Sequence, residues 1–185
     1  DEAEKIKKEL DDVAREVERR LKELLDDNRR VAEEVEKRLR DSKRELEEVT
    51  RRVRKELERI KNKEDVKRVV DEVVKEAEDI LRKNEEVIRR VKDLSRRNVE
   101  TSKRISEEVK RLLEEILKKA EDDGLDKKLV DKIRDDIRRI ARRLDEMNKK
   151  NKKLSDELEE RLKKSNEEHR RRVEKVKEEL EKKVE

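Results

Sequence analysis

Three observations predict an all-α fold, an antiparallel up-down-up bundle of three straight helices of about 60 residues each. Apolar residues recur at the α-helical period along almost the whole chain. Two short interruptions cut that pattern into three near-equal segments. Residues that end or kink helices are almost missing, with no Pro and one Gly in 185 residues.

In the first segment the stripe runs Ile6, Leu10, Val13, Val17, Leu21, Leu24, Asn28, Val31, Val35, Leu39, Ser42, Leu46, Val49, Val53, Leu57, Ile60. Steps of 4, 3, 4, 4 and 3 repeat three times, so five steps advance 18 residues. That is 3.6 residues per step, the period of the α-helix itself. A seven-residue repeat imposes a left-handed supercoil and an eleven-residue repeat a right-handed one. An 18-residue repeat imposes neither, which predicts straight helices.

The second segment keeps this clock, with Val66, Asn84, Ser102 and Ala120 spaced by 18. The third begins on Ile133 and returns at Asn151 and His169, again 18 apart. Met147 lies on its stripe and reads as gap-filling core. High charge (62%) with low hydrophobic content (29%) is also the signature of disorder. Disordered chains have no cause to hold one phase through three segments.

The interruptions carry helix-end chemistry. Lys61–Asp65 breaks the first stripe, and Asn62 suits either a left-handed stop or an N-cap. Glu121–Asp126 breaks the second. There Gly124 suits the residue after the helix end, where a positive φ costs glycine little. Asp126 can cap the third helix, with Leu125 stapled onto Val130. The expected helices are about 2–61, 64–121 and 126–184, forming one bundle over 1–185. Asp1, Glu2 and Glu4 crowd the first turn, and pairs such as Glu4–Lys8 and Glu47–Arg51 line exposed faces.

Composition excludes much chemistry. Without Cys there are no disulfides, thiolate metal sites or iron–sulfur centres. One His leaves no multi-His metal site, and one Gly leaves no phosphate-cradling loop. No aromatic residue is present to stack on nucleic-acid bases. No apolar run approaches a membrane span, and no signal or transit peptide pattern is visible. The net charge of +4 is a small surplus of 59 basic over 55 acidic residues.

Short loops set the register of antiparallel neighbours. Facing residue numbers should total about 126 around the first loop and about 249 around the second. Asn28 then faces Asn98, which faces Asn151; Ser42 faces Asn84, which faces Ser165. Two buried polar layers are expected. The first holds Asn28, Asn98, Asn148 and Asn151, with Thr101 or Ser102 beside them. The second holds Ser42, Asn84 and Ser165, with Asn166 or His169 beside them. A buried amide alone costs about 1–3 kcal/mol, whereas amides and hydroxyls at one level can satisfy each other and favour a single register.

Other candidates read as structural. His169 is on the inward repeat position, with Ser165 one turn away and no Cys partner or glycine-built oxyanion loop; a neutral core imidazole donating to Ser or Asn is expected. Carboxylate neighbours such as Asp26-Asp27 and Asp135-Asp136 are inevitable among 55 acidic residues and read as solvated faces. Residues 127–153 carry 12 Lys or Arg against 5 Asp or Glu, which reads as a mildly basic face rather than a nucleic-acid site. No catalytic residue, cofactor or metal is expected, and neither nucleic acid nor membrane is an expected partner.

The exact repeat, the Glu/Lys/Arg surface, the missing aromatics and Pro, and the single loop Gly124 extend over the whole chain. In these the chain resembles de novo designed helical bundles, specifically parametric, untwisted three-helix bundles with buried hydrogen-bond networks. The resemblance implies a scaffold without an evolved function, not an enzyme, soluble and made recombinantly in a bacterial cytoplasm, with no natural location to read. Apolar content near two positions in seven suits a helix that touches two others, so a monomer is the leading expectation. The alternative is a binding or assembly module. Val69, Ile80, Val87, Leu94, Ile105 and Leu112 lie to one side of the main seam of helix 2, joined by Thr101. That flank suits a second copy or a fourth helix from a partner.

Overall fold

The computed structural model describes residues 2–184, so Asp1, expected in the first turn, lies outside the described residues. Three helices fill the chain: α1 (Glu2–Arg59), α2 (Lys63–Asp122) and α3 (Lys127–Lys182). They form an all-α, up-down-up three-helix bundle. Glu2 and Glu4 occupy the first turn of α1, and Arg59, Lys119 and Lys182 sit in the three last turns, each sign matching the helix dipole there.

The helix ends follow from local hydrogen bonding. α1 stops at Arg59, two residues before the expected end, because Asn62 caps α2 instead of extending α1. The Glu64 amide donates to Asn62 Oδ1 at 3.1 Å, and the Val66 amide to the Asn62 carbonyl at 3.1 Å. Asn62 is not left-handed, since among the described residues only Gly124 has a positive φ, at 69°. At the other turn the Gly124 amide donates to Glu121 O at 3.2 Å and the Leu125 amide to Ala120 O at 3.3 Å. This nested pair is the Schellman closure, which requires the left-handed residue that Gly124 supplies. Leu125 packs on the apolar cluster containing Ala120, and the Val130 amide starts α3 by donating to Asp126 O at 3.0 Å.

The chain divides into two compact units, each drawing a segment from every helix. The first comprises the chain up to Arg30 together with Leu94–Asp156; the second comprises Val31–Asp93 and the chain from Glu157 onward. In the first unit one core joins Leu10, Val17 and Leu21 of α1 to Val109, Leu113 and Ala120 of α2 and Ile133 and Leu144 of α3. Leu10, Leu113 and Leu144 are fully enclosed. Full burial of a leucine is worth about 1.5–3 kcal/mol, so these contacts dominate the association of the three segments.

The second unit contains three smaller clusters. Val35, Leu39, Ile88, Val91, Leu158 and Leu162 form one; Leu46, Ala77 and Val173 a second; Val49, Val53, Val70, Val73 and Leu180 the third. Between the first two, in chain order on each helix, come Ser42, Asn84 and His169, all buried. The apolar packing is broken where polar side chains enter the seam. Cross-helix ion pairs flank the cores, including Arg143–Glu18 at 2.8 Å in the first unit and Arg54–Glu179 at 2.7 Å in the second. Arg54, Glu179 and Arg143 are exposed and Glu18 is half-buried, so each pair lies at the surface and contributes about 0–1 kcal/mol.

Candidate functional site

The buried polar side chains are the most specific constellation in this chain, because each sits on a stripe that is otherwise apolar. In the first unit Asn28 is the centre of a relay through all three helices. Asn98 Nδ2 donates to Asn28 Oδ1 at 2.8 Å, and Asn28 Nδ2 donates to Asn151 Oδ1 at 2.7 Å. Asn28 and Asn151 are buried and Asn98 half-buried. The relay uses one donor and the acceptor of Asn28, leaving the enclosed Nδ2 of Asn151 without a partner.

A second group lies on the same unit. Ser102 Oγ donates to Asn148 Oδ1, and Asn148 Nδ2 donates to Ser106 Oγ at 2.8 Å. On the other side of the relay, Ser95 and Ser155 share a hydrogen bond of 2.6 Å between their hydroxyls. Ser95, Ser102, Ser106 and Ser155 are all nearly inaccessible. Asn148 therefore bridges two turns of α2, spaced i and i+4, using both ends of its amide. Of the expected members, Thr101 stands apart. It is half-buried and makes no side-chain hydrogen bond, because it lies on the flank of α2 with Leu94 and Ile105 instead of facing the seam.

In the second unit Ser42 Oγ donates to Asn84 Oδ1 at 2.9 Å. The layer ends there, and α3 adds no hydrogen bond to it. Ser165 and Asn166 are half-buried, and Asn166 Oδ1 is enclosed without a donor. His169 is buried, and its Nε2 is likewise enclosed and unpaired, as is Asn84 Nδ2. The expected three-helix layer is thus a two-helix pair beside three separate polar groups on α3. Ser165, Asn166 and His169 occupy adjacent turns of one helix, and none approaches the Ser42–Asn84 pair closely enough to bond.

The electrostatics of His169 follow from its surroundings. Burial, and secondarily the Arg172 guanidinium, push its pKa below the ordinary imidazole value, so the ring is neutral at pH 7. A groove of about 380 Å³ opens beside it, lined by Arg40, Lys43, Lys164, Ser165 and Arg172 among others. His169 Nε2 is closed to solvent, so the groove gives no access to that nitrogen. Among the described residues no group of three or more His, Asp or Glu side chains is arranged to hold a metal ion. No helix among them is long and apolar enough to cross a membrane.

Several polar contacts go beyond the layers expected from sequence. Ser106 and the Ser95–Ser155 pair lie on the stripes, and the signal for them was register. Ser95–Ser155 and Ser102–Asn148 each total 250, close to the 249 set by the second loop. Thr50 is buried but self-sufficient, its hydroxyl donating to Leu46 O one turn back at 2.7 Å.

No protein-family model matches the chain, and no curated protein sequence is similar to it. Among solved structures it is similar to a computationally designed three helix bundle, with a TM-score of 0.70 and 18% identity. The match covers 99% of this chain and 92% of that one. At that identity the likeness is one of fold.

Proposed function

We propose that this chain is a designed structural scaffold, a de novo helical bundle whose buried polar layers hold its three helices in one register. The observation that carries this is the Asn98–Asn28–Asn151 relay, which ties three helices at one level with bonds of 2.8 and 2.7 Å. An apolar stripe repeating every 18 residues tolerates slippage by a full repeat, because leucine and valine meet leucine and valine in either register. An asparagine does not, since slippage would leave its amide buried against hydrocarbon at a cost of about 1–3 kcal/mol. The polar layer therefore converts a generic apolar seam into a specific one.

Catalysis is no part of this reading. Its support is chemical: the single imidazole has its Nε2 enclosed, and the carboxylates are spread over solvated faces. The test replaces Asn28, Asn98 and Asn151 together by Ala and follows amide hydrogen exchange. The expected result is retained helicity with faster exchange in the turns around these positions. Unchanged exchange there would remove the register role.

A second reading, an assembly module, is favoured by one observation. Leu94 and Leu112 are exposed on α2 although both are large and apolar.

A further inference from the structure

The groove between α1 and α3 in the second unit carries a charge that its own side chains do not balance. Five cations line it, Arg40, Lys43, Arg161, Lys164 and Arg172, against two carboxylates, Glu36 and Glu168. Arg161 is taken by Glu36 at 3.1 Å. Among the described residues the other four cations form no ion pair, and Glu168 alone cannot offset them. The α1–α3 groove of the first unit is larger, about 670 Å³ against 380 Å³, yet neutral. It has four cations and four carboxylates, with Arg139–Asp136 and Arg143–Glu18 closed. Each groove lies wholly within its own unit.

Register explains the surplus. The bridges Glu36–Arg161 and Arg54–Glu179 both join residues 125 apart. At that spacing Arg40 is level with Ser165 and Lys164 with Leu39, so neither cation meets a carboxylate across the groove. On its own helix Arg40 has Lys37, Lys43 and Arg44 one turn away, and the nearby Glu36 is already held by Arg161. Ser165 adds an unused donor. The hydroxyls of Ser42, Ser95, Ser102, Ser106 and Ser155 each bond a side chain of another helix. Ser165, the sixth serine of the chain, makes no hydrogen bond and lies half-buried in this groove beside the buried Leu39 and Leu162. A hydroxyl donor between unanswered cations on two helices suits an oxyanion with oxygens on both sides. We propose that this groove binds a condensed phosphate of the pyrophosphate class, with Ser165 Oγ donating to a phosphoryl oxygen and Arg40, Lys43, Lys164 and Arg172 around the rest. Pyrophosphate carries about three negative charges near pH 7, the size of the surplus. A nucleoside diphosphate presents the same groups, but the chain has no aromatic side chain to stack its base, so free pyrophosphate is the ligand. The inference goes beyond the scaffold reading and does not depend on it.

The test is calorimetric titration of the full chain with sodium pyrophosphate at pH 7 and low salt, with the His169 ring protons followed by NMR. One-site binding is expected, with a dissociation constant of about 10 µM to 1 mM, weakening as salt is added. Arg40→Gln with Lys164→Gln should weaken it at least about tenfold with unchanged helicity, since both side chains are exposed. Lys7→Gln with Lys132→Gln removes the same charge from the neutral groove of the first unit and should change affinity by less than about twofold. Ser165→Ala should weaken binding about threefold or more, and Ser165→Thr, which keeps a hydroxyl, should weaken it less. His169 is the one imidazole in a chain without aromatic residues, so its ring signals stand alone. Burial, and then the Arg172 charge, lower its pKa, and an oxyanion beside Arg172 should raise it. Absence of binding at millimolar pyrophosphate, or an unmoved His169 pKa in the saturated protein, would overturn the proposal. Equal losses in the two double variants would mean diffuse attraction to a charged rod and overturn it as well. So would unchanged affinity in Ser165→Ala, or tighter binding of adenosine diphosphate than of pyrophosphate.

Discussion

Replacing Asn28 by Leu removes the middle of the three-helix relay while keeping side-chain volume nearly constant. Two hydrogen bonds are lost, to Asn98 at 2.8 Å and to Asn151 at 2.7 Å. A neutral bond of this kind contributes about 1 kcal/mol net. The half-buried Asn98 amide can turn toward water, but Asn151, only 2% exposed, cannot. Its Oδ1 loses its donor in a side chain whose Nδ2 already lacks an acceptor. Stranding that oxygen costs a further 1–3 kcal/mol or so, partly offset by the buried leucine, for a net loss of about 2–4 kcal/mol. The matched variant replaces Asn28, Asn98 and Asn151 by Leu together. It strands no amide in the relay, so its stability should equal or exceed that of the parent. Guanidinium unfolding at equal slope reads both variants. The signature is non-additive: a single substitution that destabilises and a triple that does not. A single variant as stable as the parent, or a triple variant less stable than the single, would refute the assignment of energy to this relay.

Three further outcomes are expected. His169 has a folded-state pKa below its unfolded value, so its contribution is complete above the unfolded pKa and declines as pH falls through that value toward the folded one. Denaturation midpoints at pH 8 and pH 5 should differ less in His169→Leu than in the parent, and the variant should be more stable by about 1–3 kcal/mol because the unpaired Nε2 is gone. Asn62→Ala removes the cap on the Glu64 amide and should cost about 0.5–2 kcal/mol in guanidinium unfolding. Gly124→Ala should cost about 1–2 kcal/mol in the same measurement, from φ alone, since an added Cβ would meet nothing within 4 Å; Gly124→Asn should cost less.

Most of the architecture is legible one residue at a time, because the α-helical period, the caps and the loop lengths are local properties. The 18-residue clock gives the three helices, Gly124 and Asn62 mark the turns, and two short loops place Asn28 level with Asn98 and Ser42 level with Asn84. Both contacting pairs total 126, the value read from the first loop. Which polar groups bond is a different kind of fact. Asn148 reaches Ser106 as well as Ser102, while Ser165, Asn166 and His169, equally plausible by height, make no bond to Asn84. Height along the bundle follows from counting residues. Contact follows from how each helix is turned about its own axis, and one residue changes that by 100°. Packing of all three helices sets that rotation at once, so no single stripe contains it. The same rotation leaves Leu94 and Leu112 at the surface and encloses His169 Nε2.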